Sequence, residues 1–179
     1  MRRIYAILLL FFLSQGFVCA EELSDTTINI LKETALSGSI TSTHTLMGLY
    51  HDGKIVKKDY NESFKWALHG AKLGDGMCQY YTAAYYQIGM GVEKDSDKAL
   101  EWALLAAEQN IVKAQTLVSA LYVEKRPQNI IEAAKWIIIA YKNGDKKSEP
   151  LLVSLQQGMT ESDFKKSEKA AEIFLKSRN

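Results

Sequence analysis

Cysteine is nearly absent: only Cys19 and Cys78 occur in 179 residues. Cys19 falls in an N-terminal segment expected to be removed, so a single thiol remains and no internal disulfide can form. The fold must therefore stand on apolar burial alone. Proline is as scarce, at Pro127 and Pro150, and nothing in the composition marks a disordered or low-complexity tract. An excess of one charge sign is missing too. The formal net charge is +1, and removing Arg2 and Arg3 from the 22 basic side chains leaves 20 against 21 acidic ones, a formal −1. Such a chain has no electrostatic footprint for nucleic acid or anionic lipid. The apolar run Ile4 to Leu13 is about half the length of a membrane span.

That run reads instead as the core of an export signal. Arg2 and Arg3 supply a positive start, and Val18-x-Ala20 has the small-residue pattern of a cleavage site. The expectation is a signal peptide over residues 1–20, a mature domain over 21–179, and a location in the periplasm or the medium. The competing readings are an uncleaved anchor and a lipoprotein. The second would want a small residue before Cys19, where Val18 stands. After cleavage no membrane insertion is expected.

Chemistry-bearing motifs are also lacking. No nucleophile elbow, phosphate-binding loop or paired-carboxylate motif stands out. The three histidines are His44, His51 and His69, and no second ligand pair with recognised metal spacing accompanies them. The expectation is no catalytic residue, no metal and no cofactor. Cys78 reads as a small buried residue, because Ala114 takes its place one repeat later.

What is present is a period. Tyr50, Tyr86 and Tyr122 stand 36 residues apart, as do Trp66 and Trp102, with Trp136 following 34 later. Asp59 and Asp95, Gly53 and Gly89, Ala71 and Ala107, and Gln79 and Gln115 keep the 36-residue step. A fixed period in the mid-thirties marks a solenoid of helix pairs. The first helix of each pair ends near the tyrosine, at a glycine that supplies positive φ. The second opens at Asp59 or Asp95 as N-cap. Gly74, Asn110 and Gly144 close second helices. Within them, Ala99, Trp102, Ala103, Ala106 and Ala107 fall on one helical face. Small alanines let neighbouring helices approach, and the tryptophan fills the space between units.

The spacing predicts a leading half-unit over 25–38, repeats over about 39–74, 75–110 and 111–144, and a cap over 147–177. The third loop, EKRPQN, is two residues shorter, and Pro127 gives it a different turn. A further first helix is expected from about Glu149 to Gln157, with Pro150 in its first turn. The last helix opens at Thr160-x-x-Asp163, a variant capping box.

These residues resemble the Sel1-like repeat family, whose pattern is roughly A-Q-x-x-L-G-x-x-Y, G-x-G-V-x-x-D, K-A-x-x-W and A-A-x-x-G. The second unit carries it as Cys78-Gln79, Tyr86, Gly89-Met90-Gly91-Val92, Asp95, Lys98-Ala99, Trp102 and Ala106-Ala107. The resemblance spans about residues 25–177. It implies an all-α fold, a right-handed α-solenoid of helix-turn-helix repeats related to tetratricopeptide arrays, with a C-terminal capping helix. It further implies a binding or adaptor role, with another protein held along a concave face lined by first helices. An immunity protein that neutralises a toxic effector is one version. The alternatives are a cell-wall or penicillin-interacting hydrolase, whose repeat cysteine pairs this sequence lacks, and a secreted host-interaction factor.

Two kinds of aromatic follow from the register. Tyr50, Tyr86 and Tyr122 recur, so they belong to the scaffold. Tyr80, Tyr81 and Tyr85 do not recur. Their counterparts are His44, Thr45 and Leu49 in the first unit, and Thr116, Leu117 and Leu121 in the third. Tyrosine is favoured at interface hot spots. The expected partner-binding residues are therefore His44, Tyr81, Tyr85, Gln87 and Gln115.

Overall fold

The computed structural model describes residues 25–125 and 129–178. The expected signal peptide and the turn around Pro127 lie outside the described residues. Among the described residues nine α-helices follow one another: α1 (Asp25–Leu36), α2 (Ile40–Asp52), α3 (Tyr60–Lys72), α4 (Gly76–Ile88), α5 (Ser96–Glu108), α6 (Val112–Lys125), α7 (Ile130–Lys142), α8 (Glu149–Gly158) and α9 (Glu161–Lys176). A 3-10 turn at Lys146–Ser148 leads into α8, and no strand occurs among the described residues. Each helix from α1 to α7 packs on the next, and α9 returns to pack on α7. The fold is an all-α solenoid.

Local chemistry sets the helix ends. Asp59 accepts the backbone N–H groups of Asn61 and Glu62, and Asp95 those of Asp97 and Lys98. Each carboxylate thereby satisfies donors that the first helical turn leaves free. Gly53 ends α2 at φ 68° and Gly89 ends α4 at φ 73°. Asn110, at φ 62°, takes the left-handed role that Gly74 and Gly144 fill elsewhere. Gly91 is held by a second constraint. Its φ is 70°, and a Cβ there would lie 2.0 Å from the Tyr60 carbonyl oxygen. The loop after α4 therefore lies against the backbone that opens α3.

The alanine face is the seam between helices: Ala99, Ala103, Ala106 and Ala107 are wholly buried. Trp66 and Trp136 are each 3% exposed, whereas Trp102 is half-buried and lies against the larger core cluster. A buried tryptophan removes some 150–250 Å² from water, a gross gain of about 4–6 kcal/mol before ordering costs. Tyr50, Tyr86 and Tyr122 are half-buried and pack on these clusters, as recurring residues should. Pro150 sits in the first turn of α8. Thr160 caps α9 through the Asp163 N–H. That helix buries Ser167 and Ala171 and carries the pairs Lys165–Glu161 and Lys166–Asp163 on its outer side. A polar outer face of this kind ends a solenoid stack.

Candidate partner-binding face

The recurring glutamines explain one of the expected contacts. Gln79 Nε2 donates to the Ala71 carbonyl at 3.4 Å, and Gln115 Nε2 to the Ala107 carbonyl at 3.3 Å. Each amide oxygen then accepts from the C-terminal end of the next second helix: Gln109 Nε2 reaches Gln79 at 2.8 Å, and Asn143 Nδ2 reaches Gln115 at 3.1 Å. One side chain thus pins three helices. Gln115 is wholly buried, so it belongs to the scaffold and cannot present itself to a partner. Its recurrence with Gln79 was the sequence signal for that role.

Tyr85 is corrected in the same way. It is 3% exposed, and its hydroxyl lies 2.6 Å from Ser63 Oγ and 2.8 Å from His51 Nδ1. Ser63 has one hydroxyl proton, which it donates to the Met47 carbonyl at 2.8 Å. The Tyr85 hydroxyl must therefore donate to Ser63 Oγ and accept from His51 Nδ1–H. The chain His51, Tyr85, Ser63, Met47 ties α2, α3 and α4 together. At the counterpart positions stand Gln87, Leu121 and Ala99, then Val123, Leu155 and Ala133. The later units fill the Tyr85 and Ser63 places with buried leucine and alanine, so Tyr85 fails to recur for a packing reason.

His44, Tyr81 and Gln87 remain at the surface as half-exposed residues. Tyr81 stands on α4 with its ring 5.3 Å from that of Tyr80 and one side against the cluster of Leu46, Met47 and Trp66. His44 stands on α2 and lines a hollow of about 210 Å³ with Thr45, Gly48, Leu49, Asp52, Lys54 and Ile55. A Cβ at Gly48 would meet nothing within 4 Å, which leaves the floor of the hollow open. The sequence reading missed this hollow. Its signal was a glycine in mid-helix, where Ala84 and Ala120 stand in the other units.

A second feature also went unseen in the sequence. His44 Nε2 lies 2.8 Å from Asp75 Oδ1. The same oxygen accepts the Cys78 backbone N–H at 2.8 Å and caps α4. Burial alone would push the Asp75 carboxyl up. The Cys78 N–H, His44 and the Cys78 thiol outweigh that and hold it below the usual carboxylate range. An ionised carboxylate only accepts, so His44 Nε2 carries the proton of this bond. Burial, and then Asp75, push the Cys78 thiol far above its ordinary range. Thr116 Oγ1 donates to Asp145 Oδ2 at 2.7 Å at the equivalent joint further along. The bond from a first helix to the next cap residue therefore stands at two of these joints, with Tyr80 and Ile111 in its place at the joint between them.

Among the described residues no helix is long and apolar enough to cross a membrane. No curated protein matches the sequence. Solved structures that share the fold include two that are informative. One is a protective antigen of uropathogenic Escherichia coli displaying an SLR fold, at TM-score 0.75 and 19% identity, covering 86% of this chain and 33% of that one. The other is a Sel1 repeat protein from Oxalobacter formigenes, at TM-score 0.64 and 26% identity, covering 72% of this chain and 54% of that one. Both are longer, so this chain spans only 33% and 54% of their lengths. The Sel1 repeat model matches residues 44–75, 76–111 and 113–145, more than half of the sequence. With the helix pairs, the caps and the glutamine struts in register, the chain belongs to the Sel1 repeat family.

Proposed function

We propose that this chain is an exported protein-binding module that holds one partner protein against the exposed side of α2 and α4. Proteins built from Sel1 repeats are generally protein-interaction scaffolds, which supports the class. The observation that carries the location is the hollow on α2. Its wall residues His44, Thr45, Gly48 and Asp52 do not recur, and the fold is built without them in the later units. On the neighbouring helix Tyr81 adds a half-exposed aromatic, and Ile88 is 59% exposed. An apolar element with a small side chain could seat beside Gly48, with Tyr81 as anchor and His44 and Asp52 at the rim.

Binding is favoured over turnover because no catalytic motif accompanies the repeats and Cys78 is wholly buried. The N-terminal segment supports export to the periplasm or beyond, where occlusion of a toxic enzyme's active site is one job this face suits. No nucleic acid is expected as a partner.

The test is capture from envelope extract with a C-terminally tagged full chain, compared with Gly48→Arg and Tyr81→Ala. Gly48→Arg fills the hollow while favouring the helix, since glycine costs about 0.8–1 kcal/mol in a helix interior. Loss of a single stoichiometric partner from a variant at least as stable as the parent is the expected result. Retention of that partner by both variants would place binding elsewhere. Fractionation of the tagged chain with the cytoplasm would refute export.

A further inference from the structure

The His44–Asp75 strut ends on a third group. Cys78 lies one helical turn beyond Asp75, and the ligand atoms of His44, Asp75 and Cys78 all lie within 4.8 Å of one another. The three come from two helices and the cap between them, so no sequence spacing announces them. The register supplies the control. At the next joint the same places hold Tyr80, Ile111 and Ala114, and at the following one Thr116, Asp145 and Ser148. Stacking is satisfied by tyrosine with two aliphatic residues, or by two hydroxyls with a carboxylate. Only at this joint are all three positions imidazole, carboxylate and thiol.

We propose that His44, Asp75 and Cys78 form a binding site for one borderline-soft divalent cation of the zinc class. Thiolate, imidazole and carboxylate are the three side-chain ligands that Zn²⁺ takes, and a thiolate with few oxygens disfavours Mg²⁺ and Ca²⁺. The His44 side chain is 38% exposed and that of Asp75 22% exposed, which gives an entry path and room for a solvent ligand. Cys78 closes the inner end, packed against Gly70. Binding balances as a substitution of protons by metal. The Cys78 S–H bond breaks, the proton leaves to solvent and the sulfur binds the cation. The imidazole proton moves from Nε2 to Nδ1, and Nε2 becomes a ligand. Asp75, which accepts from both groups in the metal-free protein, binds the cation through the same carboxylate.

The experiment is titration of chelator-treated protein with Zn²⁺ and, separately, Co²⁺, with Mg²⁺ as comparison. One equivalent of Zn²⁺ is expected to raise the melting temperature. Co²⁺ is expected to give a thiolate charge-transfer band in the near ultraviolet. Cys78→Ala and His44→Thr carry the residues of later repeats, so both should fold, as melting in chelator will register. Each should bind at least as weakly as sites that lose a supporting residue, by roughly 10- to 100-fold, and Cys78→Ala should lose the cobalt band outright. Absence of the band in the parent protein at equimolar Co²⁺ would overturn the proposal. So would an unchanged Zn²⁺ response in Cys78→Ala, or an equal response to Mg²⁺.

Discussion

The buried polar chain between α2, α3 and α4 makes a quantitative prediction, because the later repeats show what the fold does without it. Ser63→Ala removes the acceptor of the Tyr85 hydroxyl and leaves a buried donor unpaired, which costs about 1–3 kcal/mol. At about 2 kcal/mol, a domain of this size loses about 4–8 °C in Tm. Tyr85→Phe costs less, about 1 kcal/mol. Ser63 keeps its bond to the Met47 carbonyl, and His51 is half-exposed and can turn to water. The double variant removes both partners and restores the apolar type seen at Ala99 with Leu121 and at Ala133 with Leu155, all buried. It should therefore cost less than the sum of the singles, by about 1–2 kcal/mol of coupling. Urea denaturation of the four proteins measures this cycle directly. Additive costs within about 0.5 kcal/mol, or a double variant worse than the sum, would refute the assignment of proton positions along the chain. In the same proteins Tyr85→Phe should leave partner capture unchanged, because the hydroxyl never reaches the surface.

Gly91→Ala should destabilise strongly: the left-handed φ costs about 1–2 kcal/mol and the overlap with the Tyr60 carbonyl adds about 1–3 kcal/mol, read by thermal melting. Cys78, buried with its thiol pushed up by burial and by Asp75, should resist thiol reagents in the metal-free native protein and react fully once urea unfolds it; rapid native labelling would contradict the packing. Acid should weaken the helix caps. Lys98, through its backbone and then its side chain, holds the Asp95 carboxyl below the ordinary 3.8, and Lys166 and Thr160 do the same for Asp163. Folded values below the unfolded one mean a contribution that is complete above about pH 5 and is lost as pH falls toward about 2. Asp95→Asn with Asp163→Asn should flatten the fall of Tm across that window.

Recurrence is what made the scaffold legible. A residue that appears at Asp59 and again at Asp95 answers a need of the repeat, and the structure shows the need as a pair of backbone N–H groups at each cap. The same logic reads Ala71 with Ala107 as seam residues, and both are buried. Failure to recur carries less information, because it has two physical causes. Thr45 and Gly48 vary where the surface faces solvent and no packing need fixes them. Tyr85 varies because its neighbours vary with it: Ser63 and His51 change together with it into Ala99 and Gln87. Sequence position alone cannot separate the two cases; burial does. Gln115 shows the converse error, since a residue that recurs with Gln79 had already declared itself part of the frame.

The same distinction explains where the polar bonds of this solenoid gather. All three histidines lie at the N-terminal joints, and each bridges one unit to a neighbour: His44 to Asp75, His51 to Tyr85, and His69 Nε2 to the Ala35 carbonyl at 3.0 Å. That carbonyl is the counterpart of Ala71 and Ala107, which receive Gln79 and Gln115. The first unit has Thr43 in place of the glutamine, and Thr43 bonds back to Ser39, so His69 reaches across in its stead. At the other end Ile137 and Ile139 are wholly buried and Ile138 nearly so, with Leu105 and Ile139 standing where His69 stands. The C-terminal joints keep the Gln115–Asn143 and Thr116–Asp145 bonds and add the isoleucine burial, whereas the N-terminal joints add the three histidine bonds to their apolar cluster. Directional bonds fix geometry more narrowly than dispersion does. They therefore set the relative position of α2 and α4, the two helices that carry the hollow, Tyr81 and the His44–Asp75–Cys78 cluster.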